Sequence, residues 1–324
     1  MAGLLLSAGV LCLLIHLSFG SHQSSLWETA AILLRPDDSL TAFSIIELRL
    51  PRALTALLVG ASLALAGTII QAITRNPLGD PGLTGVTSGA AFGAAIVLSF
   101  VTVAQGPLIA GAIIGGTIAA LFTFILSRRS GFDPLQLVLS GVAVSVLFLA
   151  LTSAVMIADR AATQTLYFWL IGGFVNRTWL EVSYLWPWVA VGTVCCLLSV
   201  RILDLLAFDD ATAQNLGVTT GRWRAWLAGL SVVLAAASVA VAGPIGFVGF
   251  MAPHLVRSAL GQQAAGHKVL LPLAALCGAS LTLFADTLSR AIPISRPPPA
   301  GVLVTVMGGI TFLLLSRRLT GRMA

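Results

Sequence analysis

Charge is scarce in this sequence. Only 9% of its 324 residues are Asp, Glu, Lys or Arg, and Lys268 is the sole lysine. Soluble globular domains carry about 25% charged residues, so that class is excluded. Disorder is excluded as well, because a chain that is 57% hydrophobic with a mean hydropathy of +0.98 has ample apolar side chain to bury. Catalytic signatures are missing: there is no HExxH, no GxSxG and no pair of carboxylates spaced along one helix. The nearest approach to a phosphate loop, Gly261 through Gly266 followed by His267-Lys268-Val269, lacks the Gly-Lys-Ser/Thr ending. The chain is therefore not expected to bind ATP itself or to be an enzyme. Cysteine is sparse too. Cys12, Cys195, Cys196 and Cys277 lie inside apolar runs with no CxxC, as buried small hydrophobes rather than disulfide partners or metal ligands. The net charge of +6 does not point to nucleic acid, because the basic residues stand singly between apolar runs.

Those apolar runs are what the sequence is made of. A helix that crosses a bilayer needs about 20 apolar residues. The pattern predicts helices near 3–19, 53–73, 88–104, 107–127, 135–158, 184–202, 225–243, 248–260, 269–290 and 300–316, with a half-helix at 162–174. The expected fold class is an all-α integral membrane protein of about ten spans. The first run has no basic residue before its apolar core, and Phe19-Gly20-Ser21 is a poor cleavage site, so it reads as a retained helix. Arg75, Arg128, Arg129, Arg201, Arg222, Arg224, Arg257, Lys268, Arg317, Arg318 and Arg322 outweigh Arg35, Arg49, Arg52, Arg160, Arg177, Arg290 and Arg296 on the other side. That bias places both termini in the cytoplasm. Gly85, Gly89 and Gly93 recur every four residues, as do Gly111 and Gly115, which lets helix backbones approach closely in lipid. Asp286 and Arg290 stand at i,i+4 spacing, so they are expected to pair near a helix end. His254 reads as a hydrogen-bonded structural residue. Buried ionisable groups are too few for a typical proton- or ion-coupled carrier.

Several segments in order resemble the FecCD-type permease subunits of ATP-binding-cassette importers for iron–siderophore, haem and vitamin B12. They are Arg49-Leu50-Pro51-Arg52 leading into Leu57 to Ala61, Gly67-Thr68-Ile69-Ile70-Gln71, Arg75-Asn76-Pro77-Leu78-Gly79-Asp80-Pro81-Gly82-Leu83-Thr84-Gly85-Val86, Trp169 to Phe174, and Ala213 to Val218. The most specific is Ala242-Gly243-Pro244-Ile245-Gly246-Phe247-Val248-Gly249-Phe250-Met251-Ala252-Pro253-His254-Leu255-Val256-Arg257. The sequence departs from the family at Arg296-Pro297-Pro298-Pro299-Ala300-Gly301 and at Gly308-Gly309-Ile310.

The resemblance implies a type II importer permease like that for vitamin B12, with 1–324 as one transmembrane domain in the bacterial inner membrane. It implies a second copy of the chain as dimer partner, two ATPase subunits that carry ATP and Mg, and a periplasmic substrate-binding protein, with no cofactor on this chain. A secondary transporter of a small solute is the alternative. Arg49, Arg52 and Arg290 match family arginines that receive carboxylates of the binding protein; interfacial snorkelling is the plainer reading. Phe132, Asp133 and Pro134 match the family's cytoplasmic gate, and equally an ordinary turn into a helix. The segment 203–222 matches the coupling element that enters the ATPase. Within it Asp209 and Asp210 start a short helix that Gly217 ends, with Ala211, Ala213 and Leu216 expected to be exposed and Val218 to follow; a self-packed loop is the alternative. Cargo is not legible: Ser88, Thr152, Ser153, Thr163, Gln164 and Thr165 suit a neutral pathway lining and ordinary helix packing alike.

Overall fold

The structure, a computed structural model, describes residues 2–19, 24–101, 104–128, 133–261, 266–292 and 297–320. Among these the regular structure is all helix: the ten expected runs are helical, and further short helices lie between them. In order they are α1 (Ala2–Ser18), α2 (Leu26–Leu34), α3 (Leu40–Phe43) running through a π-helical stretch (Ser44–Arg49) into α4 (Leu50–Thr74), α5 (Val86–Phe100), α6 (Gln105–Arg128), α7 (Pro134–Ala158), α8 (Arg160–Ile171), α9 (Trp179–Leu198), α10 (Val200–Leu206), α11 (Asp210–Asn215), α12 (Thr220–Ala242), α13 (Val248–Leu260), α14 (His267–Ala291) and α15 (Ala300–Thr320). Six stretches, Leu40–Thr74, Gly106–Arg128, Pro134–Ala158, Trp179–Leu198, Thr220–Ala242 and His267–Ala291, are each long and apolar enough to cross a membrane. Gly9–Ser18, Val86–Phe100 and Ala300–Leu313 are shorter apolar helices. This is a multi-pass membrane protein.

Helix α4 forms the centre, with α14, α12, α13 and α9 packed around it. Its residues from Ala53 to Thr74 are mostly small or β-branched and buried. The closeness comes from glycine. A Cβ on Gly60 would overlap the Gly278 carbonyl of α14, and one on Gly93 of α5 would overlap the Gly111 carbonyl of α6. In lipid, where apolar side chains have no water to escape, this backbone contact is what holds helices together. Polar ties supplement it: Ser62 Oγ donates to Leu234 O, Ser231 Oγ to Ala66 O, and Thr282 Oγ1 to Ala56 O, each at 2.7–3.0 Å.

The long glycine-rich motif is explained by the same geometry. α12 stops at Gly243 (φ 72°), the chain turns back at Phe247 (φ 67°), and α13 begins against α4. There Gly249 meets Gly67, and Gln71 Nε2 donates to the carbonyls of Gly79, Gly249 and Phe250, at 3.3 Å each. Arg257 Nη1 in turn donates to Gln71 Oε1. Asp80, within the expected breaker cluster, accepts from Gly82 N at 2.8 Å. Burial pushes the Asp80 carboxyl above its ordinary range.

Some boundaries differ from expectation. α9 starts at Trp179 rather than near 184, because Thr178 N donates to Glu181 Oε2 at 2.8 Å and nucleates the helix early. The run expected to 202 breaks at Ser199, giving α9 and α10. α2 and the stretch 40–49 were not expected as helices, since Asp37, Asp38 and Glu47 interrupt the hydropathy there.

Candidate functional site

Two polar clusters lie at opposite ends of α4. At its start, Arg52 grips Asp286 of α14 with a bidentate fork: Nε donates to Oδ2 and Nη2 to Oδ1, both at 2.7 Å. His16 of α1 completes the carboxylate, its Nε2 donating to Asp286 Oδ2 at 2.8 Å. His16 and Asp286 are fully buried, and 16% of the Arg52 side chain remains exposed. Arg49 is buried and its Nη1 donates to Leu17 O at 2.8 Å and Ser18 O at 3.4 Å. Arg290 donates to Phe19 O at 2.8 Å and His16 O at 2.5 Å. Two guanidiniums therefore cap the last carbonyls of α1, which have no partner within their own helix and carry the negative end of its dipole.

The structure thus brings Arg49, Arg52 and Arg290 together at the start of α4. It corrects one local expectation. Asp286 is held by Arg52 and His16 rather than by Arg290, whose side chain reaches across to α1. His16 was missed, because a lone histidine inside an apolar first helix gives no sign of its distant partner.

At the far end of α4, Arg75 is its left-handed C-cap (φ 49°). The expected short helix is present as α11. Asp209 is its N-cap, accepting from Thr212 N at 2.9 Å and Thr212 Oγ1 at 2.7 Å, and those bonds hold its carboxyl below the usual range. Gly217 follows the helix with φ 83°, in the left-handed region expected of it. Phe208, Ala211, Leu216 and Gly217 are exposed, and a shallow depression beside them is lined by Gln214, Gly217, Val218, Thr219, Thr220, Gly221 and Arg222. Ala213 is a correction: it is fully buried, and Val218 is buried beside it, because the helix lays that face on its own chain. Asp210 stays partly exposed and pairs with Arg75 and Arg224.

Phe132 lies outside the described residues. Asp133 is the N-cap of α7, its Oδ2 accepting from Leu135 N at 3.0 Å and Gln136 N at 3.2 Å, with Pro134 as the first helical residue. Ser88, Thr152 and Ser153 donate to their own helices' carbonyls, the packing use of such residues. Thr165 is exposed, and the side chains of Thr163 and Gln164 lie outside the described residues. His254 stacks on Phe250 at 6.1 Å and lies 3.2 Å from Ser258 Oγ, a structural role. Cys12, Cys195, Cys196 and Cys277 are free and wholly or partly buried. Among the described residues, no group of three or more His, Cys, Asp or Glu gathers to hold a metal ion.

Comparison with known proteins agrees with this architecture. Residues 7–318 match the FecCD transport family. The chain is 35% identical over 310 residues to the Fe(3+)-citrate import system permease protein YfmD of Bacillus subtilis (strain 168), covering 94% of this chain and 90% of that one. It is 36% identical over 326 residues to the hemin transport system permease protein HmuU of Yersinia pestis, covering 95% and 94%. A solved structure described as an inward-facing conformation of a metal-chelate type ABC transporter superposes with a TM-score of 0.87 at 32% identity, covering 97% of each chain. The chain belongs to the FecCD transport family: it is a membrane-spanning permease subunit of the ABC-importer type, and not an enzyme.

Proposed function

We propose that this permease carries a bulky iron chelate, haem or corrinoid across the bacterial inner membrane, with ATP and Mg bound by separate subunits. The observation that carries this is the full-length likeness to iron-citrate and hemin permeases and to a metal-chelate transporter. The whole chain acts as one permease domain, paired with a second copy of itself and surrounded by lipid. Exposed apolar side chains along α7, among them Leu135, Leu139, Val146 and Leu149, are what such surroundings require. Both termini face the cytoplasm, on the side of α11.

On the outer side, Arg49, Arg52 and Arg290 form the docking pocket for carboxylates of a periplasmic binding protein. Guanidiniums recognise carboxylates bidentately, as Arg52 already does with Asp286. Docking then requires an incoming carboxylate to compete with the α1 carbonyls for Arg49 and Arg290. Arg290→Glu should weaken binding-protein association by about tenfold or more, a cost of about 1.4 kcal/mol, in a binding titration run beside a thermal-stability control. Unchanged affinity in a protein that still folds would remove the arginines from the docking role.

On the inner side, the segment 203–222 couples to the ATPase. Ala211, Leu216 and Gly217 supply the contact surface, Asp209 and Asp210 start and anchor its helix, and Ala213 and Val218 seat it on the permease. One turn and a half of helix is too short to be stable alone, so it depends on a surface on each side. Leu216→Glu should abolish co-purification of the ATPase; retention of the full complex would refute the assignment. The gate is placed at Phe132, Asp133 and Pro134. A cysteine at Asp133 should crosslink to its counterpart in the second copy in the inward-closed state, and absence of crosslinking in every nucleotide state counts against it.

A further inference from the structure

Two carboxylates of the coupling segment, both partly exposed, bond to other helices of the permease. Asp204 lies on α10, and its Oδ1 accepts from His267 N at 2.8 Å and from His267 Nδ1 at 2.7 Å. It therefore caps the first turn of α14 from a different helix. Asp210 opens α11 yet does not cap it, since Asp209 does that. Its oxygens instead receive the fork of Arg224, Nη2 to Oδ1 at 2.7 Å and Nη1 to Oδ2 at 3.0 Å. Arg75 Nη2 donates to the same Oδ1, while Arg75 Nε donates to Leu206 O at 3.1 Å. One arginine thus clasps both α10 and α11 from the end of α4.

The helices involved are informative. α4 ends in Arg75 and begins beside Arg52; α14 begins at His267 and carries Asp286 and Arg290 near its other end. At 1.5 Å per residue the 25-residue α4 is about 37 Å long, enough to cross a bilayer core of about 30 Å. α4 and α14 meet at Gly60 and Gly278 with no room for a Cβ, so their backbones are in direct contact. The coupling segment is bonded to the same two helices that hold the arginine cluster at the opposite end.

We propose that Asp204 and Asp210 are positioning residues that fasten the coupling segment to α14 and to α4 and α12, so that motion at the ATPase is transmitted to the helices bearing Arg52, Asp286 and Arg290. This rests on the reading of 203–222 as the ATPase contact. A carboxylate shared by two guanidiniums suits the task, because charge-assisted bidentate bonds are both short and directional. The Asp210 side chain is 43% exposed while that of Arg224 is 4% exposed, so the carboxylate sits where a surface segment meets a buried helix.

The test uses the complete importer in liposomes, with uptake of a radiolabelled cargo and ATP hydrolysis measured on the same preparation. Asp210→Asn and Asp204→Asn should each raise the ATP hydrolysed per cargo molecule, by about fivefold or more for the pair of changes together. Asp210→Glu should restore the ratio, which loss of fold would not allow. If Asp210→Asn fails to insert, Arg75→Gln tests the same bond from the other side. An unchanged ratio in Asp210→Asn, Asp204→Asn and Arg75→Gln, in complexes that Leu216→Glu does disrupt, overturns the positioning role alone. An intact complex with normal uptake in Leu216→Glu overturns the coupling reading beneath it.

Discussion

At the residue scale, Asp286 organises one end of the molecule. It is a fully buried carboxylate whose two oxygens are satisfied by Arg52 and His16. Burying a charge is tolerated only when it is paired and hydrogen-bonded, and removing one partner of such a pair costs about 3–5 kcal/mol. Asp286→Asn should accordingly lower the thermal stability of the detergent-solubilised protein by a clear margin, measured by scanning fluorescence. An unshifted melting temperature would mean that the carboxylate is dispensable to the fold. The sequence pointed to Arg290 as its partner because i,i+4 spacing is the only pairing that a sequence displays directly. The actual partners lie 234 and 270 residues away, and only the packing of α4 and α1 on α14 reveals them. Asp210 behaves differently. Partial burial pushes its carboxyl up, but hydrogen bonds and charge from Arg224 and Arg75 outweigh this and hold it below the usual range. Its pairs are thus fully formed at neutral pH, and their contribution is lost only as pH falls below the ordinary Asp value of about 3.9.

At the element scale, what could be read in advance was whatever rests on local chemistry. The apolar runs became spans, and the glycine spacing in α5 and α6 became backbone contact. Asp209 and Gly217 bracketed a short helix as caps do. Gly93→Leu should drive α5 and α6 apart and reduce the yield of folded protein sharply, by size-exclusion of the solubilised chain; a normal yield would contradict close packing there. What could not be read was which face of a short helix turns inward. Ala213 is small enough for either side, and it is its neighbours on the permease, not its own spacing, that bury it. An Ala213→Trp variant should therefore unseat the segment, whereas Gly217→Val, with no neighbour near the added Cβ, acts through strain of a left-handed residue. α2 was hidden by its polar surroundings, although Ser25 and Glu28 carry a capping box that marks its start: Glu28 N donates to Ser25 Oγ at 3.1 Å, and Ser25 N to Glu28 Oε2 at 3.4 Å.

At the scale of the whole molecule, one tightly packed pair of helices, α4 and α14, connects an arginine cluster at one end with an anchored surface helix at the other. In the function proposed above, the permease converts events on one side of the bilayer into a change on the other. The proposed driving force for this conversion is nucleotide bound to separate subunits. It is tested most directly by measuring uptake of radiolabelled ferric chelate, haem and cobalamin into liposomes holding the permease with and without its ATPase and binding protein. Uptake of one of these cargoes is expected only with the complete complex and ATP. Uptake by the permease alone, driven by an ion gradient and indifferent to ATP, would contradict it.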